Sequence, residues 1–147
     1  GVAAYETYGR ARQVPLIGVD FGTATTFDAI TAKGEYLGGV ICPGIQISAD
    51  ALFQRAARLP RIDVRKPDTV IGRTTVASMQ SGLFFGYVGM VEGLVQRLRT
   101  ELARDAYCIA TGGLAEVIAP ETDVVDVVDR DLTLQGLRMI WERNRGK

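Results

Sequence analysis

Short apolar runs alternate with glycine-rich and polar turns in the first third of the chain. Leu16–Phe21 is an apolar run typical of a buried strand, and similar runs follow at about 25–31 and 36–41. Only a few residues separate these runs, with Lys33 and Gly34 at the second turn. Tight turns join neighbouring strands in antiparallel order. The pattern therefore predicts a three-stranded antiparallel meander.

Helical spacing replaces this alternation further along the chain. After Cys42-Pro43-Gly44, one helix face is formed by apolar residues at helical spacing: Ile45, Ala49, Leu52, Phe53 and Ala56. We expect Leu59 and Pro60 to end that helix and residues 60–70 to form a surface loop. A long helix is predicted from about Thr75 to Leu102, with Thr74 or Thr75 as its N-cap.

Two further strands are predicted beyond the long helix, at 107–110 and 124–128. A helix that ends near Ala119 separates them, and a final helix capped by Asp131 follows. Its apolar residues are Leu134, Leu137, Met139, Ile140 and Trp141. Strands that return through helices add to a sheet in parallel. The predicted fold class is α/β: three antiparallel strands followed by parallel strands with crossover helices, in one domain over residues 1–147.

The long helix carries four glycines on one stripe, at positions 82, 86, 89 and 93. Each glycine costs a helix about 1 kcal/mol relative to alanine, so the stripe needs a packing reason. Close approach of the sheet or of a partner's helix is that reason. Because the other faces are also apolar, we expect the 75–102 helix to be buried all round and to form a homodimer interface, or else to pack on a missing part of the same chain.

The pattern predicts that the given sequence starts inside a helix. The pattern predicts a helix over residues 2–8 that ends at Gly9, and no capping residue precedes Val2. We therefore expect the sequence to be a fragment of a longer protein.

Composition excludes several classes of function. The chain has 147 residues, a formal net charge of zero and no histidine. Neither nucleic acid nor an anionic membrane is expected as a partner, and no apolar run is long enough to span a bilayer. Because the chain has no histidine, any base or metal ligand in it must be another residue type. Cys42 and Cys108 lie in apolar strand patterns, which favours buried free thiols in a reducing cytoplasm over a disulfide.

Candidate chemistry is concentrated at the turn after the first strand. Asp20 ends the apolar run, Gly22 allows a ligand to approach the backbone, and Thr23, Thr25 and Thr26 offer hydroxyl groups. Main-chain N–H and threonine O–H groups suit phosphate oxygens, and a neighbouring carboxylate suits a cation that neutralises them. The alternative is an ordinary Gly-Thr hairpin in which Asp20 makes local turn hydrogen bonds.

Six motifs in order give the chain a family resemblance. They are DFGTATTFD at 20–28, GEYLGG at 34–39, PGI at 43–45, IGRTT at 71–75, QSGLFFGY at 80–87 and TGGLA at 111–115. Together with the element order they resemble the type III pantothenate kinases of the actin-like ATPase, sugar kinase and Hsp70 superfamily. The resemblance implies a ribonuclease-H-like half of the actin-like fold, in which two halves clamp a nucleotide.

The resemblance also implies an activity and its cofactors. The complete protein would phosphorylate pantothenate to 4'-phosphopantothenate with ATP and Mg²⁺, in the cytoplasm, as the first step towards coenzyme A. Asp20 resembles the ligand of a monovalent cation, typically K⁺. Gly22, Thr23, Ala24 and Thr25 would form one ATP-phosphate hairpin. Gly112 and Gly113 resemble the glycines that leave room for the nucleoside, and Thr75 resembles a pantothenate contact. A plain helix cap and a plain strand-to-helix turn are the alternatives for Thr75 and for the glycine pair.

The chain differs from the family pattern at three points. The first phosphate hairpin, Asp-x-Gly-Asn, has no counterpart in the chain. The Gly-x-Asp-Arg segment, whose aspartate is the family's proposed base, would lie before Val2 and is missing, so no catalytic residue is assigned. Thr74 stands where the family usually has asparagine. We therefore expect the chain to be the C-terminal half of a two-domain kinase, inactive alone. The alternatives are an inactive dimerising or nucleotide-binding module and a regulatory relative.

Overall fold

Five strands form one mixed sheet in the computed structural model, which describes residues 1–55 and 62–145. The strands are β1 (Leu16–Phe21), β2 (Ala24–Ile30), β3 (Tyr36–Pro43), β4 (Tyr107–Gly112) and β5 (Val127–Val128). Their order across the sheet is β3-β2-β1-β4-β5. β1, β2 and β3 pair antiparallel, whereas β4 lies parallel to β1 and β5 lies parallel to β4. The predicted meander and the parallel additions are both confirmed.

Helices cover both faces of this sheet. They are α1 (Val2–Ala4), α2 (Arg10–Arg12), α3 (Ile45–Arg55), α4 (Thr75–Glu101), α5 (Ala115–Ile118) and α6 (Leu132–Arg145). A wider, π-type turn (Tyr5–Gly9) joins α1 to α2 in a continuous N-terminal helix, and a 3₁₀ turn (Ala119–Glu121) follows α5. None of the helices described here is long and apolar enough to cross a membrane.

Alternate side chains of β1 pack into two hydrophobic cores, one on each face of the sheet. Ile17, Val19 and Phe21 point to one face, where they pack with α4 residues such as Phe84 and Val91. Leu16 points to the other face and packs with Ala3, Ala4 and Leu132 of the N-terminal helix and α6. Gly18 and Asp20 alternate onto that second face. The carboxylate of Asp20 therefore lies on the face opposite α4.

The long helix α4 begins where the sequence predicts. Thr74 is its N-cap, and its hydroxyl oxygen accepts a hydrogen bond of 3.1 Å from the N–H of Ala77. The preceding loop is fastened along the helix, because Ser78 donates to the carbonyl of Gly72 and Ser81 donates to that of Val70. The loop that leads to Thr75 is therefore held by side chains of the first two turns of α4.

Gly9 does not end the N-terminal helix, so that prediction is wrong. Its backbone is right-handed, with φ −83°, and the helix continues to Arg12, after which Gln13 takes the left-handed conformation at φ 56°. A Cβ on Gly9 would lie 2.9 Å from side-chain atoms of both Leu16 and Tyr5. Packing against β1, and not a stop signal, is the reason for glycine here.

The glycine stripe of α4 does not face the sheet. Gly82, Gly86 and Gly89 are exposed and Gly93 is half-buried, and a Cβ on any of them would meet no atom of the described residues within 4 Å. The expectation that α4 is buried all round, or that the sheet approaches the stripe, is wrong. The sheet packs on the opposite side of the helix, through residues such as Phe84 and Val95.

The C-terminal elements differ from the prediction in extent. β5 comprises only Val127–Val128 of the predicted 124–128 strand, although Val124 is buried. In α6, Leu134, Leu137 and Trp141 are 67%, 60% and 58% exposed, so most of the predicted apolar face is bare. In α3, Ile45 and Ala49 are buried, while Leu52 is 37% exposed. Ala56, Leu59 and Pro60, which bear on the end of α3, lie outside the described residues.

Candidate functional site

The bend between β1 and β2 is open to solvent. Gly22 and Thr23 are exposed and Ala24 is half-buried. The N–H of Gly22 donates to the carbonyl of Ala24 over 3.1 Å, which closes the bend. Thr23 is exposed and makes no hydrogen bond with any other described residue, so none of these residues uses its main-chain or hydroxyl donors. Thr25 is only 1% exposed, so its side chain supports the hairpin and is not available to a ligand.

Asp20 lies beside this bend in a row of polar side chains. It pairs with Thr26 on β2 and with Thr111 on β4, so the three residues lie side by side across the sheet. One oxygen of Asp20, Oδ1, would be 3.6 Å from a Cβ on Gly22. Asp20 is half-buried, and no described lysine or arginine forms an ion pair with it. An uncompensated, partly desolvated carboxylate favours a bound cation.

Gly112 brings the end of β4 against Asp20. Its φ is +95°, and a Cβ on it would lie 2.6 Å from the carbonyl oxygen of Phe21 and 2.7 Å from Oδ1 of Asp20. Only glycine fits such a position without displacing the backbone. Gly113 is exposed, and a Cβ there would meet nothing within 4 Å. The predicted glycine pair is therefore close to the predicted cation ligand, and only its first member is sterically required by the fold.

A cleft of about 220 Å³ opens from Asp20 across the sheet. Its polar walls are Asp20, Asp28 and Thr111, and its apolar walls come from the N-terminal helix and α6, including Leu137 and Ile140. Gly22 and Thr23 are not part of its lining, although Asp20 links the cleft to the bend. The candidate site is thus an exposed bend beside a largely apolar cleft that holds a few polar side chains, Asp20 among them.

A second carboxylate lies in the same cleft, one strand further out. Asp28 pairs with Gly18, so it lies on the same face as Asp20. It accepts a hydrogen bond of 3.3 Å from the hydroxyl of Tyr36, and its negative charge raises the pKa of that tyrosine. No group of three or more potential metal ligands occurs among the described Cys, Asp and Glu residues.

Thr75 lines a different groove at the start of α4. This groove has a volume of about 690 Å³ and combines the hydroxyls of Thr75 and Ser78, the cation of Arg73, and apolar side chains. Leu52, Met79 and Leu83 supply the apolar wall. Gly82 of the glycine stripe borders the same groove. A cation, hydroxyls and aliphatic groups together suit a small molecule that has both polar and apolar parts.

One chain does not bring Thr75 beside Asp20. The Asp20 cleft lies between the sheet, the N-terminal helix and α6, whereas the Thr75 groove lies on α4 and α3. No residue lines both cavities. The structure therefore unites Asp20, the bend and the two glycines, and leaves Thr75 apart from them.

Neither cysteine belongs to these sites. Both are free, Cys108 buried and Cys42 half-buried, as the sequence predicts for the absence of a disulfide. Burial raises the pKa of Cys108 to about 12. A thiol that stays protonated is a poor nucleophile and a poor metal ligand. Cys108 is therefore a core residue.

The sequence alone did not show which polar residues lie beside Asp20 in the sheet. Thr26, Asp28 and Thr111 join Asp20 only through the register of β2 and β4 with β1. The alternation within β1 and β2 was the available signal, because residues 18, 20, 26 and 28 share a face once the hairpin register is known. The register of β4 depends on residues about 90 positions away and gave no such signal.

The sequence of the chain is similar to a known protein family and to several of its members. The family model described as type III pantothenate kinase matches residues 1–97. Proteins named type III pantothenate kinase from Moorella thermoacetica and Koribacter versatilis are 56% and 57% identical over 144 residues, which is 98% of this chain. A protein of the same name from Syntrophotalea carbinolica is 55% identical over 145 residues.

The chain spans only about half the length of these relatives, 55%, 51% and 55% respectively. A crystal structure from Campylobacter jejuni, described as a conserved protein of the Baf family of transcriptional activators, has a similar fold, with a TM-score of 0.67. The match covers 99% of this chain and 64% of that one, at 23% identity. At that identity the similarity applies to the fold alone.

Proposed function

This chain belongs to the type III pantothenate kinase family, and from that premise we propose that it is one half of an enzyme that phosphorylates pantothenate. The γ-phosphoryl group of ATP would pass to the primary alcohol and give 4'-phosphopantothenate, the first step of coenzyme A synthesis. The observation that carries this proposal is the open Gly22–Thr23 bend beside the carboxylate of Asp20, which pairs with no described lysine or arginine. Phosphoryl transfer depends mainly on positioning and charge neutralisation, which such a bend can supply.

The chain is, in this proposal, the C-terminal half of a two-domain kinase. Three antiparallel strands followed by two parallel ones, in the order β3-β2-β1-β4-β5, support a ribonuclease-H-like half of the actin-like fold. Relatives about twice as long support an N-terminal half. The bare apolar residues of α6, Leu134, Leu137 and Trp141, offer that half a surface to pack against.

The bend would bind the ATP phosphates through its main chain. Gly22 and Ala24 give close backbone approach, and Thr23 has donors that no described residue uses. Thr25 would hold the hairpin from below, since it is buried. Gly112 and Gly113 would form the floor under the nucleoside, where the exposed Gly113 leaves open space. Mg²⁺ would arrive bound to the phosphates, because Mg²⁺ in kinases is held largely by phosphate oxygens and water.

Asp20 would hold a monovalent cation, K⁺ in the family, beside the phosphates. Its carboxylate fits a cation because it is half-buried, lacks an ion-pair partner among the described residues, and lies between two threonines. A cation there would neutralise part of the phosphate charge. Asp20 in turn would fix the position of that charge relative to the bend.

Pantothenate would contact Thr75 in the groove at the start of α4. The hydroxyl of Thr75, the aliphatic wall and Arg73 match a molecule with hydroxyl, gem-dimethyl and carboxylate groups. The base that takes the proton of the pantothenate hydroxyl is not assigned to this chain. The family places it before Val2, and the chain has no histidine to replace it.

The same observations support a homodimer through α4. The glycine stripe is exposed, and Gly82 continues it into the Thr75 groove. Four glycines, three of them exposed, weaken the helix unless another backbone packs on them. A second copy seated on the stripe would border the groove that the single chain leaves apart from Asp20. The location proposed for the protein is the cytoplasm, which two free cysteines favour.

The second proposal is that the chain is a folded module without catalytic turnover. Such a module would dimerise or bind nucleotide, or it would be a regulatory relative of the kinases. The separation of Thr75 from Asp20 within one chain favours it for the isolated domain. The two proposals differ in one measurable property, the transfer of phosphate when the N-terminal half is supplied.

A chimera tests the proposed function directly. The C-terminal half of the Moorella thermoacetica relative is replaced by this chain, and transfer of labelled γ-phosphate from ATP to pantothenate is measured. We expect turnover by the chimera, little or none by the 147-residue chain alone, and loss of turnover on Asp20→Ala in the chimera. A folded chimera without turnover would support the inactive module, and robust turnover by the chain alone would show that this half is sufficient.

A further inference from the structure

The junction between β3 and α3 is pressed against the bend. Gly44 is buried, and a Cβ on it would lie 2.0 Å from the carbonyl oxygen of Thr23 and 3.0 Å from that of Gly22. No non-bonded carbon and oxygen approach so closely, so any side chain at Gly44 must push the bend away. The main chain of Gly44 therefore forms the support on which Gly22 and Thr23 rest.

Tyr87 of α4 fastens this junction to the core. Its hydroxyl donates a hydrogen bond to the carbonyl oxygen of Pro43, which precedes Gly44. Tyr87 is 7% exposed and packs among the core residues beneath the sheet. Pro43 is paired with Ala24 at the edge of the bend. A buried tyrosine hydroxyl that reaches one main-chain carbonyl holds that carbonyl in a fixed place.

We propose that Tyr87 is a positioning residue for the phosphate bend. It touches no ligand itself; it holds Pro43 and Gly44, and these hold the main chain of Gly22 and Thr23. Donors kept in place before a ligand arrives stabilise charge without the cost of being reorganised. The role in nucleotide binding rests on the proposed function, whereas the mechanical support of the bend does not.

Ser81 provides a matched control on the same helix. Its hydroxyl also donates to a main-chain carbonyl, that of Val70, and Ser81 is likewise 7% exposed. This bond fastens the loop before Thr75 and has no contact with the bend. Removal of the Ser81 hydroxyl therefore measures the general cost of one such bond on α4.

Residue-resolved amide exchange by NMR tests the support itself, in wild type, Tyr87→Phe and Ser81→Ala. We expect exchange at hydrogen-bonded amides of the bend, such as that of Gly22, to become about tenfold faster in Tyr87→Phe, as for the loss of one hydrogen bond. The same amides should be unchanged in Ser81→Ala, and Val19 in the core should be unchanged in both. Wild-type exchange at the bend in Tyr87→Phe, or an equal increase in Ser81→Ala, would overturn the proposal.

A second variant disturbs the contact between Gly44 and the bend directly, without a change to Tyr87. Gly44→Ala leaves the Tyr87 hydroxyl in place but forces a methyl group against Thr23. It should give the same local increase in exchange as Tyr87→Phe. Unchanged exchange at the bend in Gly44→Ala would also contradict the proposal.

Calorimetric titration with ATP and with adenosine tests the link to nucleotide. We expect Tyr87→Phe to weaken ATP binding about tenfold while adenosine binding stays within twofold of wild type, because only the phosphates use the bend. Unchanged ATP affinity would overturn the positioning role. If the wild-type chain binds neither ligand, the proposed nucleotide site fails, and the exchange experiment alone decides whether Tyr87 supports the bend.

Discussion

At the end of β4 the backbone of Gly112 passes so close to β1 that no side chain fits between them. Its left-handed φ of +95° and the 2.7 Å separation of a would-be Cβ from Asp20 act together. The sequence could predict a glycine pair after a strand and assign it to a nucleotide site. It could not predict which glycine the fold requires, because that depends on the approach of a strand distant in sequence.

The two adjacent glycines give a matched pair of substitutions. We expect Gly112→Ala to lower the free energy of unfolding by about 1–3 kcal/mol, from backbone strain and from the clash with Phe21 and Asp20. Gly113→Ala, in open space, should change it by less than about 0.5 kcal/mol. Urea unfolding of both variants measures the difference, and equal effects would contradict the close approach of β4 to Asp20.

Cys108 predicts a specific dependence of stability on alkaline pH. Burial raises its pKa from 9.0 to about 12 in the folded chain. The unfolded chain therefore releases this proton at a lower pH than the folded chain does. The stabilisation is complete below pH 9 and is lost progressively between pH 9 and about 12, at up to about 1.4 kcal/mol per pH unit.

A comparison with Cys108→Ala isolates that contribution. Between pH 8 and pH 10 the unfolding free energy of wild type should fall by roughly 1 kcal/mol more than that of Cys108→Ala. Tyr8, whose pKa burial and Asp129 raise to about 12, titrates in both proteins and cancels in the difference. Parallel pH profiles from denaturant titrations would contradict the buried, protonated thiol.

At the scale of the element, the sequence predicted helix ends that depend on local chemistry, but it did not predict the role of glycines that depend on packing. The bounds of α4 and its Thr74 cap follow from local chemistry, and they agree with the sequence to within one residue. Gly9 and the glycine stripe were misassigned because tertiary contacts, and not helix propensity, decide what a glycine is for. Gly9 makes room for Leu16 and Tyr5, while the stripe of α4 meets nothing within the described chain.

The stripe predicts that Gly86→Leu disrupts a dimer. Gly86 is exposed on the single chain, so leucine fits the monomer, but its side chain would keep a second helix from approaching. We expect wild type to sediment as a dimer and Gly86→Leu as a monomer. Arg104→Leu adds the same side chain at an exposed position outside the helix and should remain dimeric. Wild type that sediments as a monomer would refute the interface.

At the scale of the whole molecule, several large apolar side chains of α6 and β3 are exposed on the surface. Leu134, Leu137 and Trp141 of α6 and Ile41 of the edge strand β3 are each more than half exposed. The sequence predicted an α6 with apolar residues but not that they lie outside the core. Their exposure depends on what packs on the helix, which the pattern of one chain does not contain.

Trp141 is the single tryptophan of the chain and reports on this surface. It is 58% exposed, so its fluorescence emission should be that of a solvated indole. If the N-terminal half of a relative packs on α6, its addition should move the emission to shorter wavelength, and Leu137→Asp should weaken that shift. Emission that does not change while the two halves bind each other would exclude α6 from their interface.

The central claim is that Asp20 and the bend form a cation-assisted phosphate site. Calorimetric titration of the chain with ATP and Mg²⁺, with and without K⁺, tests it most directly. Asp28→Asn is the control for Asp20→Asn, because it removes the same charge from the same cleft one strand away. We predict that K⁺ strengthens ATP binding in wild type and in Asp28→Asn and has no effect in Asp20→Asn. ATP binding that ignores K⁺ in wild type, or that loses its K⁺ dependence equally in both variants, would contradict the account.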